Sequence, residues 1–146
     1  MVGTDNDGLG EEAQRGFAAD ESLDAYTSLY RLVLVSYGYR CALTGARFAA
    51  PASALHPDLD VTAIQPREQG GPLAIANYLP MIVSLVPVFR DGLITIEDDF
   101  RILVPHPELL DRDTLAALRS SLALPEPPFR PGPEFLAHHR RYALGR

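Results

Sequence analysis

Apolar and polar positions follow several different periods along this chain, and each period predicts an element. Between Glu21 and Tyr37 the residues Leu23, Tyr26, Tyr30, Val33, Leu34 and Tyr37 recur at three- and four-residue spacing. That spacing puts them on one side of a helix, and Gly38 can stop it by taking a left-handed conformation. The segment RCALTGARF bends at Thr44-Gly45, which predicts a short hairpin. PASALHPDLD is a proline-bounded loop leading to the strand VTAIQP, and the polar, glycine-ended REQGG follows. From Gly71 to about Val88 the spacing predicts a helix, interrupted by Pro80 and Pro87. Proline costs about 3 kcal/mol in a helix interior, so each is expected to open a turn of helix instead. In GLITIEDDFRILV, Leu93 and Thr95 on one arm and Ile102 and Val104 on the other flank the polar turn Glu97-Asp98-Asp99, which makes a hairpin. DRDTLAALRSSL reads as a helix capped by Asp113, LPEPPFRPGP as an extended connector, and EFLAHHRRYAL as a closing helix. No internal repeat is visible, and the mixed order predicts a small α+β domain.

Composition narrows this picture. A chain of 146 residues is long enough for one domain with a real core, and 47% hydrophobic content excludes global disorder. Residues 1–20 are rich in glycine and acid without a sustained apolar period, so they read as a disordered acidic tail ahead of a domain over 21–146. The net charge of −6 is confined to residues 1–24, where seven acids stand against Arg15 alone. The remainder is balanced, and a neutral body lacks the electrostatic footprint of a tight duplex binder. The longest apolar run, YLPMIVSLVPVF, is too short and proline-broken to span a bilayer. The N-terminus lacks the basic-then-apolar order of a secretory signal, so the expected location is cytoplasmic and no membrane partner is expected. Cys41 is the single cysteine. It can form neither an internal disulfide nor a zinc ribbon, and it reads as a small buried thiol.

Five blocks in order, YGYRCALTGARF, TAIQPREQGG, IANYLPM, VFRDGLITIEDDFRILV and RPGPEFLAHHRR, carry a resemblance to the HNH endonuclease family. They resemble the branch that begins with a helix and a Tyr-Gly-x-Arg-Cys-x-x-Thr-Gly turn and has no zinc-binding cysteines. The similarity spans roughly Tyr26 to Tyr142. It implies a ββα-metal core, two short strands and a helix around one divalent cation that cleaves DNA phosphodiesters. In that chemistry a neutral imidazole takes a proton from the attacking water, and a hard cation stabilises the departing alkoxide. The family's general-base histidine precedes Ile-x-Pro; here the matching residues are Thr62-Ala63-Ile64-Gln65-Pro66, so Ala63 occupies that place. The middle asparagine matches Asn77. The last histidine, a metal ligand ahead of Phe-Asp-x-Gly-Leu-Ile, falls on Val86, and the Phe-Asp pair has become Phe89-Arg90. Removing a general base lowers rate about 10²–10⁴-fold, and losing a metal ligand removes more. The resemblance therefore implies a protein of this family that has lost hydrolysis and acts as a protein- or nucleic-acid-binding, regulatory module, with no cofactor.

Other groups compete for a role. His56 with Asp58 and Asp60 has the ligand types for a cation, so the alternative is an active endonuclease using Mg²⁺ or another divalent ion at a rearranged site with Asn77. The plainer reading is a solvated loop. Asn77 can equally start a helix through its own backbone. His138, His139, Arg140 and Arg141, with Arg130 and Arg146, form a candidate phosphate-facing patch, against helix-end stabilisation as the plain account. His106, the Arg67-Glu68 pair and the Glu97-Asp98-Asp99 turn read as surface features. Leu79, Ile82, Leu85, Val88 and Phe89 read as core, extended by Val86 into the former metal cleft. If that cleft stays open its lining is expected to be apolar, a docking site for a protein partner. A third reading, a structural or toxin–antitoxin partner, would use the acidic tail against a basic chain.

Overall fold

Residues 23–36 are helical (α1), and the helix ends as the sequence predicts. Gly38 is left-handed at φ +64°. Its N–H donates to Val35 O and the N–H of Tyr39 to Leu34 O, both at 2.9 Å, a pairing that satisfies the last free carbonyls. Of the predicted apolar side, Tyr30, Val33, Leu34 and Tyr37 are buried, whereas Leu23 is 64% exposed. This computed structural model describes residues 23–145; the predicted acidic tail and Arg146 lie outside them. The chain divides into two units, 1–31 and 32–146. The described part of the first is helix, and the second holds every strand among the described residues.

The second unit is α+β, as expected. Strand β1 (Leu59–Ala63) pairs antiparallel with β2 (Tyr78–Ile82), and the short helix α2 (Val86–Arg90) follows. A second antiparallel pair, β3 (Thr95–Ile96) and β4 (Ile102–Leu103), is the predicted hairpin with shorter arms. Helices α3 (Arg112–Ala117) and α4 (Pro133–Leu144) complete the unit. Single backbone bonds link the two sheets. Ala42 N donates to Pro80 O, Ala123 N to Ala42 O, and Leu122 N to Phe100 O, each at 2.9 Å. The Thr44-Gly45 hairpin is reduced to one bridge, Arg40 to Arg47, and lies in the middle of that relay.

Two expectations need correction. The segment from Gly71 to Val88 is not a helix: a 3₁₀ turn at Ile75–Asn77 leads into β2, and only Val86–Arg90 is α-helical. Tyr78, Leu79, Pro80 and Met81 are all buried, so the run covers both faces of the strand and shows no strand period. Pro80 is tolerated within β2 because its peptide groups face away from β1. Its carbonyl accepts from Ala42, so the missing N–H removes no bond from the β1–β2 ladder. Pro87 does open α2, as expected of a proline in the first turn. The second correction is the cap of α3, which is Asp111. Its carboxylate accepts from Thr114 N at 2.7 Å, while Asp113 lies inside the first turn.

Leu43, Leu59, Ile64, Leu79, Met81, Phe89, Ile94, Ile96 and Leu136 are fully buried and form the core of this unit. Cys41 is buried with them, its Sγ 3.4 Å from Ile82 N. No helix among the described residues is long and apolar enough to cross a membrane.

Candidate functional site

The loop between β1 and β2 is held by one side chain. Asn77 is fully buried; its Oδ1 accepts from Gln65 N at 2.9 Å, and its Nδ2 donates to Gln65 O at 2.9 Å and Pro72 O at 3.0 Å. Glycine at position 71 is required for the same reason, since a Cβ there would fall on the Gln65 carbonyl and approach Asn77 Nδ2 to 2.9 Å. The loop turns through the 3₁₀ segment Arg67–Gln69 and a left-handed Gly70 at φ +86°. Asn77 is thus a loop fastener with every polar atom occupied. It does not cap a helix.

That loop, α2 and α4 enclose an open cleft of about 370 Å³. Ala63, at the end of β1, and Val86, at the start of α2, both line it. The two positions where the resemblance expects histidines therefore meet at one hollow, and neither supplies a lone pair. Tyr78, the register partner of Ala63, has its hydroxyl pushed upward by burial, with Arg67 opposing, so it remains a neutral phenol. The cleft is not the apolar groove expected from the sequence. Glu68, Arg90, Asp91, His139 and Tyr142 share its walls. Glu68 and Arg90 stand 3.8 Å apart, a solvent-exposed pair that contributes about 0–1 kcal/mol.

His139 is the residue the sequence reading misplaced. It is 4% exposed, not on a surface patch, and its ring stacks on Phe89 with centroids 4.0 Å apart. Nε2 lies 2.8 Å from the Phe89 carbonyl, which can only accept, so Nε2 carries the proton. Burial depresses its pKa, the bond to Phe89 O opposing, so the imidazole is neutral. Nδ1 is then a bare acceptor, buried and without a partner. An orphaned buried acceptor costs about 1–3 kcal/mol. A signal for this burial existed: Leu136, His139 and Ala143 recur at three- and four-residue spacing along α4.

The other members of the proposed basic patch are dispersed. Arg140 donates to Ile96 O at 2.7 Å and Asp98 Oδ1 at 2.8 Å, with Glu97 at 3.9 Å, which fastens the hairpin to α4. His138 Nε2 lies 2.8 Å from Gln69 Oε1. Arg130 is exposed and donates to Pro125 O at 3.0 Å, leaving Arg141 exposed on α4. Glu97 and Asp98 share Arg140, and Asp99 pairs with Arg101 at 3.0 Å, so each hairpin acid has an arginine beside it. His106 lies 3.6 Å from Glu108 on the surface.

His56 does not build a rearranged metal site. Its Nδ1 accepts from Asp58 N at 3.0 Å and Leu59 N at 3.1 Å, and its Nε2 lies 3.1 Å from Ala49 O. Asp60 accepts from Val61 N at 2.8 Å. The histidine is thereby a buried start-cap for β1, with both nitrogens occupied. Among the described residues, no group of three or more His, Cys, Asp or Glu side chains is placed to hold a metal ion. The donor set does not fit the divalent cation that the resemblance implies.

No protein-family model matches this chain, and no curated protein does. The fold is similar to a solved structure described as a modification-dependent TagI restriction endonuclease, at a TM-score of 0.54 and 20% identity. The match covers 78% of this chain and 36% of that one. At that identity the likeness speaks for the fold alone, and this chain spans little more than a third of the endonuclease's length.

Proposed function

We propose that this domain is an HNH-nuclease-like module that has lost metal-dependent phosphodiester hydrolysis and works by binding. One observation carries the reading: Ala63 and Val86 line the same cleft, where the chemistry would need a base and a metal ligand. The similarity in fold to a restriction endonuclease supports a nuclease scaffold. Neutral His139 is no substitute base, because its only free nitrogen is sealed from solvent. The intact loop fastening by Asn77 supports a site whose frame is kept for a purpose other than hydrolysis.

The test is plasmid cleavage by purified protein across Mg²⁺, Mn²⁺, Zn²⁺ and Ca²⁺. No nicking above a metal-free control is the expected result. Divalent-dependent cleavage that a single substitution in this chain abolishes would overturn the reading.

A further inference from the structure

We propose that α4 is an acid-released wall of the cleft: protonation of His139 lets the helix lift from α2 and opens the hollow. The attachment of α4 is thin. Of its 12 residues only Leu136 and His139 are buried, so one of its two anchors is a group that can acquire charge. Its further holds are made by side chains, His138 at Gln69 and Arg140 at Ile96 O and Asp98. The bond from Gly132 N to Ala76 O, at 2.9 Å, lies just ahead of the helix and can stay in place when the helix lifts. The β1–β2 ladder, and the bonds that join it to Ala42 and Ala123, use no residue of α4. The backbone network of the body is thus closed without this helix.

His139 anchors only while neutral. Its Nε2–H donates to Phe89 O at 2.8 Å, and its ring lies on Phe89 with 4.0 Å between centroids and 7° between planes. A second proton must sit on Nδ1, which is buried with no acceptor in reach. A buried cation with an unpaired donor is strongly unfavourable. The charged groups around it give no relief. Arg90 and Asp91 on α2 and Glu68 on the loop line the same cleft, yet no carboxylate bonds the ring. Glu97 and Asp98 on the hairpin are taken by Arg140, while His138 and Arg140 on α4 oppose further positive charge. Burial holds the pKa of the ring below the ordinary 6.5, the bond to Phe89 O opposing. The seated helix has no slack toward the turn after α2, because a Cβ on Gly92 would stand 2.7 Å from that of Ala143. Lifting α4 is therefore the way to hydrate Nδ1. Above pH 6.5 the seated form keeps its full advantage. As pH falls from there toward the lowered folded value, the open form alone gains the proton. A lifted α4 takes His139 and Tyr142 out of the cleft wall and bares the Phe89 ring.

Amide hydrogen exchange of the full chain tests this, read residue by residue by NMR at pH 7.5 and 5.5 and corrected for intrinsic exchange rates. The α4 opening constant is expected to be about three- to tenfold larger at pH 5.5, the ceiling being set by one proton taken up with a pKa of 6.5. At both pH values α4 should open at least about tenfold more often than the β1–β2 ladder, which separates release of the helix from global unfolding. His139→Phe, which keeps an apolar ring on Phe89, should remove the pH response, and His138→Gln should keep it. Equal opening constants in α4 and the ladder, or a rise below about twofold, would overturn the proposal. So would a response that survives in His139→Phe or one that is lost in His138→Gln. Should His139→Phe fail to fold, the parent chain and His138→Gln still decide. DNA cleavage enters none of these readouts, so their failure would leave the loss of hydrolysis standing.

Discussion

Replacing Asn77 by alanine removes three hydrogen bonds at once, and their geometry sets the expected loss. Two of them run to the N–H and carbonyl of Gln65 and one to the carbonyl of Pro72, all between 2.9 and 3.0 Å. A net contribution of about 1 kcal/mol for each bond gives about 3 kcal/mol. That is a large share of the 5–15 kcal/mol typical of a domain. In urea, with a slope of about 2 kcal/mol per molar, the midpoint should fall by about 1.5 M at constant slope. Circular dichroism against urea concentration measures it directly. Asn77→Asp is the informative companion. It keeps the acceptor for Gln65 N but turns an anionic oxygen toward the Gln65 and Pro72 carbonyls. It should therefore be at least as destabilising as alanine. A loss below about 1 kcal/mol for alanine, or an aspartate variant as stable as the parent, would refute the assignment of Asn77 as the fastener of this loop.

Gly71→Ala should lower stability by at least about 3 kcal/mol, because a Cβ there collides with backbone that the same loop holds rigid; thermal unfolding would show it. Asp111→Ala should cost about 1 kcal/mol through loss of the α3 cap, and Asp113→Ala much less, an ordering that urea midpoints can check. Stability should fall as pH drops below about 6.5. The unfolded chain then takes up a proton that buried His139 refuses, at up to about 1.4 kcal/mol per pH unit until the folded pKa is reached. That limb should be absent from His139→Phe, measured by urea unfolding between pH 7.5 and 5. Adding Mg²⁺, Mn²⁺ or Zn²⁺ should leave the melting temperature unchanged, whereas a folded-state site at 100-fold its Kd would add about 2.7 kcal/mol.

Local rules were readable in the sequence where one segment decided its own conformation. Gly38 ended α1 because a left-handed residue at that point completes a local bonding pattern. Pro87 opened α2 for reasons internal to one turn. The run from Tyr78 to Ile82 was not readable, because its strand conformation depends on β1 beside it and on Ala42 from elsewhere in the chain. His56 read as a solvated loop residue, or alternatively as a ligand, yet it is buried and its two nitrogens serve backbone groups at positions 49, 58 and 59. The meeting of Ala63 with Val86 could be anticipated only through resemblance. The presence of Glu68, Asp91 and His139 at the same hollow could not, since spacing along a chain does not report which loops a distant helix will close upon.

Three consecutive residues of α4 grip three separate places: His138 the Gln69 side chain, His139 the end of α2, and Arg140 the β3–β4 hairpin. In the order of synthesis both sheets precede α4, so the hollow acquires its α4 wall only when residues 133–144 arrive. A nascent chain halted ahead of Pro133 would carry the loop and α2 walls but not the α4 wall, and any ligand that needs His139 or Tyr142 would ignore it.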